Sequence, residues 1–255
     1  MDKSITKNID FNYNKIDTCE NIDIKTEENT DIKKEENTDI KKEENIKSLE
    51  LNKYYSSNDM FVQVFDNVID KEVCKDIIDV FEKNKEKQYN GVTAGGYTPQ
   101  TKITKEINFS YGSCLFKFDD IVHGGLNECY SNYIQNVNSF YDNVYDFSKH
   151  LGDTGYQLQR YNKNEGRYKW HVDTSDELDY VTNHGVRKYA FLLYLNDVDE
   201  GGETGFLIKD LNNTKPQAGR FLIFPTTDQY VHCGFMPKSN DKYIVTGWLH
   251  TKNNL

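Results

Sequence analysis

The stretch "YKWHVDTSDE", residues 168–177, sets His171 and Asp173 two positions apart, behind an aromatic run and ahead of an acidic turn. Residues i and i+2 of a β-strand point to the same side, so the pair can face one metal ion. A His-x-Asp pair alone is a weak pointer in a chain with six histidines and many aspartates. Its meaning depends on what surrounds it.

The surroundings read as strands. Beyond Gly155 the segments "YQLQRY", "RYKWHV", "KYAFLLYL", "ETGFLI", "GRFLIFP", "YVHCGF" and "KYIVTGWLH" are short and rich in aromatic and β-branched residues. Turn signals such as Asn162 to Gly166, Asp199 to Gly202 and Ser239 to Asp241 separate them. Before them come a short strand at Phe61 to Phe65 and a helix with Asp70 at its N-cap, its Val73, Ile77, Ile78 and Phe81 sharing one face. A loop rich in Gly and Thr, "YNGVTAGGYTPQTKITKE", leads to a second helical pattern from about Leu126 to Phe147. There Leu126, Tyr130, Tyr133, Ile134, Val137 and Tyr141 repeat at three and four.

Two helices followed by seven or eight strands predict an α+β domain: a double-stranded β-helix, or jelly roll, with helices buttressing one face. Residues 51–255 would form this domain, with 51–150 as helical support and 155–250 as the jelly-roll core. Residues 1–50 are read as a disordered low-complexity tail. Their unit EENTDIKK at 27–34 repeats at 35–42. One Ile per eight residues offers too little apolar area to offset the entropy of ordering the backbone.

Net charge is −10 over 255 residues, and the tail holds nine Lys against fourteen Asp plus Glu. That leaves −5 for the folded part, an argument against gripping nucleic acid through phosphate neutralisation. There is no apolar run of signal-peptide or membrane-spanning kind. The expectation is a cytoplasmic protein that binds neither nucleic acid nor membrane, as a monomer or weak homo-oligomer. Cys19, Cys74, Cys114, Cys129 and Cys233 are odd in number and lack C-x-x-C spacing, so free thiols in a reducing compartment are expected.

A mononuclear iron(II) site needs two neutral imidazoles and a carboxylate on one face of the metal. His232, 61 residues after His171 on another expected strand, is a candidate third ligand. From its local sequence alone it is equally a satisfied core histidine. His123, His150 and His184 sit beside glycines, after a helix and in a polar loop, and compete poorly.

The texts "YNKNEGRYKWHVD", "RKYAFLLYLNDVDEGGETGF", "PQAGRFLIFP" and "HCGFMPKSNDKYIVTGWLH" occur in this order at compatible spacing. Together they resemble the 2-oxoglutarate and iron(II)-dependent dioxygenases, and among these the prolyl 4-hydroxylases of the compact plant, algal and viral type. The resemblance implies Fe(II), 2-oxoglutarate, O2 and ascorbate as cofactors, and hydroxylation at the 4-position of prolyl residues in a peptide or protein, with decarboxylation of 2-oxoglutarate to succinate and CO2. It implies His171, Asp173 and His232 as metal ligands and Lys242 as the cation for the distal carboxylate of 2-oxoglutarate. A buried dianion needs such a partner for the carboxylate that does not touch the metal. Tyr161 and Thr204 would line the co-substrate pocket, Tyr168 would stand near the iron as a catalytic residue, and Arg187 with His250 would bind peptide.

Two departures stand out. The loop between Tyr161 and Tyr168 is one residue longer than in the nearest relatives, and "ITKEINFSYGS" replaces the more usual Arg-Thr-Ser type of sequence. Two other readings stay open: the same chemistry on another side chain, a free amino acid or a nucleobase, and a catalytically silent jelly-roll binding module.

Overall fold

In strand "RKYAFLLY" the side chains alternate between two cores. Ala190, Leu192 and Tyr194 enter one apolar cluster, and Phe191 and Leu193 enter the other. A strand buried on both faces must be apolar at every position, which is why this segment reads as a continuous hydrophobic run. The computed structural model describes residues 59–109, 111–141, 151–153, 155–174 and 185–251. The tail of residues 1–50, Cys19, His150, His184 and the expected end of the second helix lie outside the described residues.

In chain order the elements are β1 (Gln63–Phe65), α1 (Lys71–Lys83), β2 (Tyr89–Asn90), β3 (Lys102–Ile103), β4 (Lys105–Asn108), α2 (Asp119–Phe140), β5 (Leu151–Asp153), β6 (Gln157–Tyr161), β7 (Arg167–His171), β8 (Arg187–Tyr194), β9 (Thr204–Phe206), β10 (Arg220–Pro225), β11 (His232–Gly234) and β12 (Lys242–Thr251). An eight-stranded sheet has the order β1-β10-β8-β12-β6-β4-β2, with β5 also on β12. A four-stranded sheet has the order β3-β7-β11-β9. All the pairings are antiparallel. Among the described residues the regular structure is thus twelve strands in two sheets with two α-helices, consistent with the jelly roll expected.

The helices cover one face of the large sheet. Asp70 caps α1 by accepting a hydrogen bond from the Glu72 amide at 2.7 Å, the favourable N-terminal arrangement for an acidic side chain. Ile77 and Phe81 are fully buried, and Val73 and Ile78 pack beside them. Helix α2 begins seven residues earlier than the pattern from Leu126 suggested. Gly124 and Gly125 look like a break in sequence, yet Gly125 is a contact point: a Cβ there would lie 2.8 Å from the Ile69 side chain and 3.2 Å from Phe221. Leu126, Tyr130, Tyr133, Ile134 and Val137 are buried as expected, whereas Tyr141 is exposed.

The other face of the large sheet looks toward the small one. Val62, Val64, Leu222, Phe224 and Ile244 meet Phe206 of β9 in the second cluster. The segment read as a loop at 89–106 in fact supplies β2, β3 and the start of β4, and β5 was also missed. Two- and three-residue strands carry too little alternation to show in sequence. Strand β4 pairs with β6 and buries Ile107 and Glu106, so the "KEIN" part of "ITKEINFSYGS" is built into the large sheet. Cys74, Cys129 and Cys233 are buried free thiols and Cys114 is half-buried. Among the described residues no helix is long and apolar enough to cross a membrane.

Candidate active site

Between the two sheets lies a cavity of about 520 Å³, lined among others by Tyr161, Tyr168, His171, Asp173, Arg187, Thr204, His232 and Lys242. Eight of the nine residues singled out from sequence therefore converge on one space. Strand pairing brings the histidines together: His232 on β11 stands opposite His171 on β7, with ring centroids 4.2 Å apart. Asp173, just past the end of β7, reaches both. Its carboxylate oxygens lie 3.6 Å from His171 Nε2 and 3.5 Å from His232 Nε2.

The donor set fits a divalent transition metal. One ligand atom from each of the three residues lies within 4.8 Å of the others. His171 Nδ1 is 2.7 Å from the Lys169 carbonyl and His232 Nδ1 is 3.0 Å from the Tyr230 carbonyl. A carbonyl only accepts, so each Nδ1 carries the proton and each Nε2 offers its lone pair toward Asp173. Burial, and then the nearby His232, push the His171 imidazole down to about 4 against the opposing pull of Asp173. It is neutral and ready to ligate at ordinary pH. Two imidazoles and one carboxylate on one side of a site suit non-haem iron(II).

Lys242 opens β12 opposite Tyr161 of β6 and is 1% exposed. Its ammonium donates to the Gly202 carbonyl at 2.9 Å and lies 4.0 Å from the Tyr161 ring centroid. Desolvation pushes it down to about 7, with Cys233 and Glu203 pulling the other way. A buried ammonium with one carbonyl and one ring face for company suits an incoming carboxylate. Gly201 and Gly202 both have positive φ, 72° and 77°. They shape the turn as expected, and the turn also aims the Gly202 carbonyl at Lys242.

Thr204 is buried, and its hydroxyl accepts a hydrogen bond from Tyr194 at 2.7 Å. The Thr204 proton is thereby left to donate into the cavity. The Tyr161 hydroxyl instead donates to Gln159 Oε1 at 2.9 Å, so this ring flanks Lys242 with its face. Arg187 places its guanidinium 3.9 Å from the Trp248 ring centroid and donates to the Asp173 carbonyl at 3.5 Å. His250 is the exception. It pairs across the sheet with Arg187, but it is buried, with Nδ1 3.5 Å from the Gly185 carbonyl, and is absent from the cavity wall. His123 contacts Asp153 and Tyr156 at 3.2 and 3.0 Å and takes no part.

The sequence did not point to Lys102, Glu106, Trp248 or Gly234. Gly234 faces the Lys242 end of the cavity, where a Cβ would meet the Tyr161 ring at 3.3 Å and Lys242 Nζ at 3.5 Å. Trp248 follows Lys242, Ile244 and Thr246 at a period of two along β12, and that pattern was readable.

A two-sheet β fold with two imidazoles and a carboxylate at one point, and a buried lysine nearby, has the ligand set of a candidate mononuclear non-haem metal site. Residues 156–250 match the 2OG-Fe(II) oxygenase superfamily, and this span holds all three candidate ligands and Lys242. Probable prolyl 4-hydroxylase 9 of Arabidopsis thaliana is 30% identical over 108 residues, 34% of this chain and 38% of that protein. The match therefore spans less than half of that relative's length. The fold is shared with a prolyl hydroxylase of Trichoplax adhaerens, solved with a hypoxia inducible factor oxygen degradation domain peptide fragment, at TM-score 0.58 and 17% identity over 84% of this chain and 93% of the other. It is shared also with the viral collagen prolyl hydroxylase of Paramecium Bursaria Chlorella virus-1, at TM-score 0.53 and 18% identity over 75% and 96%.

Proposed function

We propose that the chain is an Fe(II)- and 2-oxoglutarate-dependent dioxygenase that hydroxylates prolyl residues of peptides or proteins, its catalytic domain spanning residues 51–255. The observation that carries this reading is the joint presence, in one cavity, of the His171, Asp173 and His232 donor set and the buried ammonium of Lys242. His171, Asp173 and His232 would hold the iron, whose chemistry is dioxygen activation coupled to conversion of 2-oxoglutarate to succinate and CO2. Ascorbate would keep that iron reduced.

The chain's own residues bind, orient and exclude water. Lys242 takes the distal carboxylate of 2-oxoglutarate in a charge-assisted hydrogen bond, and Thr204 donates a second. Tyr161 walls the pocket, and its ring face stabilises the ammonium. The Nδ1–H bonds to main-chain carbonyls hold both imidazoles in one tautomer and one orientation. Tyr168 and Arg187 line the remaining part of the cavity, where a peptide would lie, and the Trp248 ring fixes the Arg187 plane. His250 supports Arg187 across the sheet, as a positioning residue. A peptide substrate is favoured by the relatives, which are prolyl hydroxylases, one of them solved with a peptide fragment.

The test is turnover. Purified full-length protein with Fe(II), 2-oxoglutarate and ascorbate should form succinate faster when proline-containing peptides are added, with a gain of one oxygen located at prolyl C4 by mass spectrometry. Succinate formation stimulated only by free amino acids or nucleobases would reject the prolyl assignment. No succinate under any condition would reject the enzyme.

A further inference from the structure

A second lysine is buried in the same cavity, and the reading above gives it no task. The small sheet runs β3-β7-β11-β9. Thr204, beside the Lys242 pocket, is on the β9 edge, and Lys102 is on the β3 edge, with His171 and His232 on the two strands between. Lys102 is 5% exposed, yet it lines the cavity.

Its surroundings are built. The ammonium lies 2.7 Å from Glu106 Oε1, in an ion pair with side chains 5% and 0% exposed. The Thr104 hydroxyl donates to the same oxygen at 2.6 Å, so the carboxylate is fixed on the large sheet while Lys102 reaches it from the small one. A second N–H makes a long contact of 3.5 Å to the Val92 carbonyl. Strand pairing sets Lys102 opposite Tyr168, and the ammonium stands 5.1 Å from that ring centroid. An ammonium has three donors, and among the described residues these two oxygens are its hydrogen-bond partners.

We propose that Lys102 is a specificity residue that donates a hydrogen bond to a main-chain carbonyl of the peptide substrate, next to the residue being hydroxylated. This deepens the peptide reading and rests on it. The choice of a neutral carbonyl over an acidic side chain follows from Glu106. Its carboxylate already neutralises the ammonium and would repel a second carboxylate brought alongside, whereas a carbonyl accepts the remaining N–H at no such cost. Position decides the rest: strand pairing sets Lys102, Tyr168, Gly234 and Thr204 in one row across the small sheet, so Lys102 stands beside Tyr168 at the edge away from Thr204.

Removing one member of a buried ion pair leaves the other uncompensated, so the test uses the double variant Lys102→Met with Glu106→Gln, in the full-length holoenzyme. Its peptide KM should rise at least about tenfold, the loss of a charge-assisted hydrogen bond, while its KM for 2-oxoglutarate shifts less than about twofold. Peptides in which single backbone carbonyls are replaced by thioamides give the second readout. One position should weaken binding to the wild type and have no effect in the variant. The proposal is overturned if both KM values rise together, if kcat alone falls, or if thioamide effects are the same in both proteins. It is overturned in favour of an acidic side chain if replacing a peptide carboxylate by its amide reproduces the variant's loss. Wild-type protein without peptide-stimulated succinate formation would instead overturn the peptide reading itself, and this inference with it.

Discussion

Tyr168 and His171 stack face to face, with ring centroids 3.6 Å apart and planes inclined by 18°, although their spacing of three would put them on opposite faces of a regular strand. The pairing shows how. His232 is opposite His171 and Gly234 is opposite Tyr168, so Cys233 faces two residues, Lys169 and Trp170. This is a β-bulge, which re-aims a side chain beside a site. It also turns the Lys169 carbonyl toward His171 Nδ1, so one irregularity fixes both the ring's neighbour and its tautomer.

The stack makes Tyr168 a support for His171. Tyr168→Ala should weaken Fe(II) binding about tenfold, as loss of groups that orient a metal ligand does. Tyr168→Phe, which keeps the stack, should bind as the wild type does. Titration with Co(II) followed by its d–d absorption reads this directly. Equal affinity in all three proteins would show that the stack does not position the ligand.

Replacing His171, Asp173 or His232 by Ala should abolish 2-oxoglutarate turnover. Thermal unfolding should remain cooperative in each, since all three lie at the cavity wall and outside the main apolar cluster. Full turnover in any one variant would remove that residue from the metal site.

Lys242 sets a pH dependence with a definite sign. In the ligand-free protein its ammonium titrates near 7 because burial disfavours the charge. A bound carboxylate favours the charge, so binding takes up a proton above that pH. The affinity for 2-oxoglutarate should therefore fall as pH rises from 7 to 9, with proton uptake visible by calorimetry in buffers of different ionisation heat. Lys242→Met should weaken binding by about tenfold or more at pH 7 and flatten the dependence. A wild-type affinity that does not change over this range would reject the assignment.

Arg187→Lys keeps the charge and loses the planar stack on Trp248. The peptide KM should rise severalfold while the KM for 2-oxoglutarate holds. Steady-state kinetics with each substrate varied separates the two.

Gly202→Ala tests the turn beneath Lys242. The new Cβ would sit at a positive φ and 3.2–3.3 Å from Val198 and Pro237 side-chain atoms. A cost of about 1–3 kcal/mol is expected in denaturant unfolding, together with a higher KM for 2-oxoglutarate, because the Gly202 carbonyl holds the ammonium. A stability loss without a KM change would show that the turn is structural alone.

Part of the site was legible from the clear period of the ten-residue β12, and the rest, with His232 and Thr204 on three-residue strands, from the resemblance that its texts carry. Lys242, Ile244, Thr246 and Trp248 alternate on β12, and the texts around His171 and His232 carry their spacing openly. Lys102 and Glu106 were not legible. They belong to short strands in a stretch rich in Gly and Thr, and a lysine four before a glutamate looks like a solvated pair. Only the meeting of two sheets buries it. His250, which the resemblance set beside Arg187, is buried two residues past Trp248, the last residue of β12 on the cavity wall.

The sequence by itself determined which residue types are available and which of the longer strands carry them, because hydrophobic period and turn chemistry are local properties. Tertiary structure decided which way two of them face. An extra residue at Lys188, between the pairs Leu249 with Tyr189 and His250 with Arg187, turns Arg187 into the cavity, as the bulge at Lys169 and Trp170 turns Tyr168. A bulge is a mismatch in count between two paired strands, and no single strand's sequence contains its partner's register.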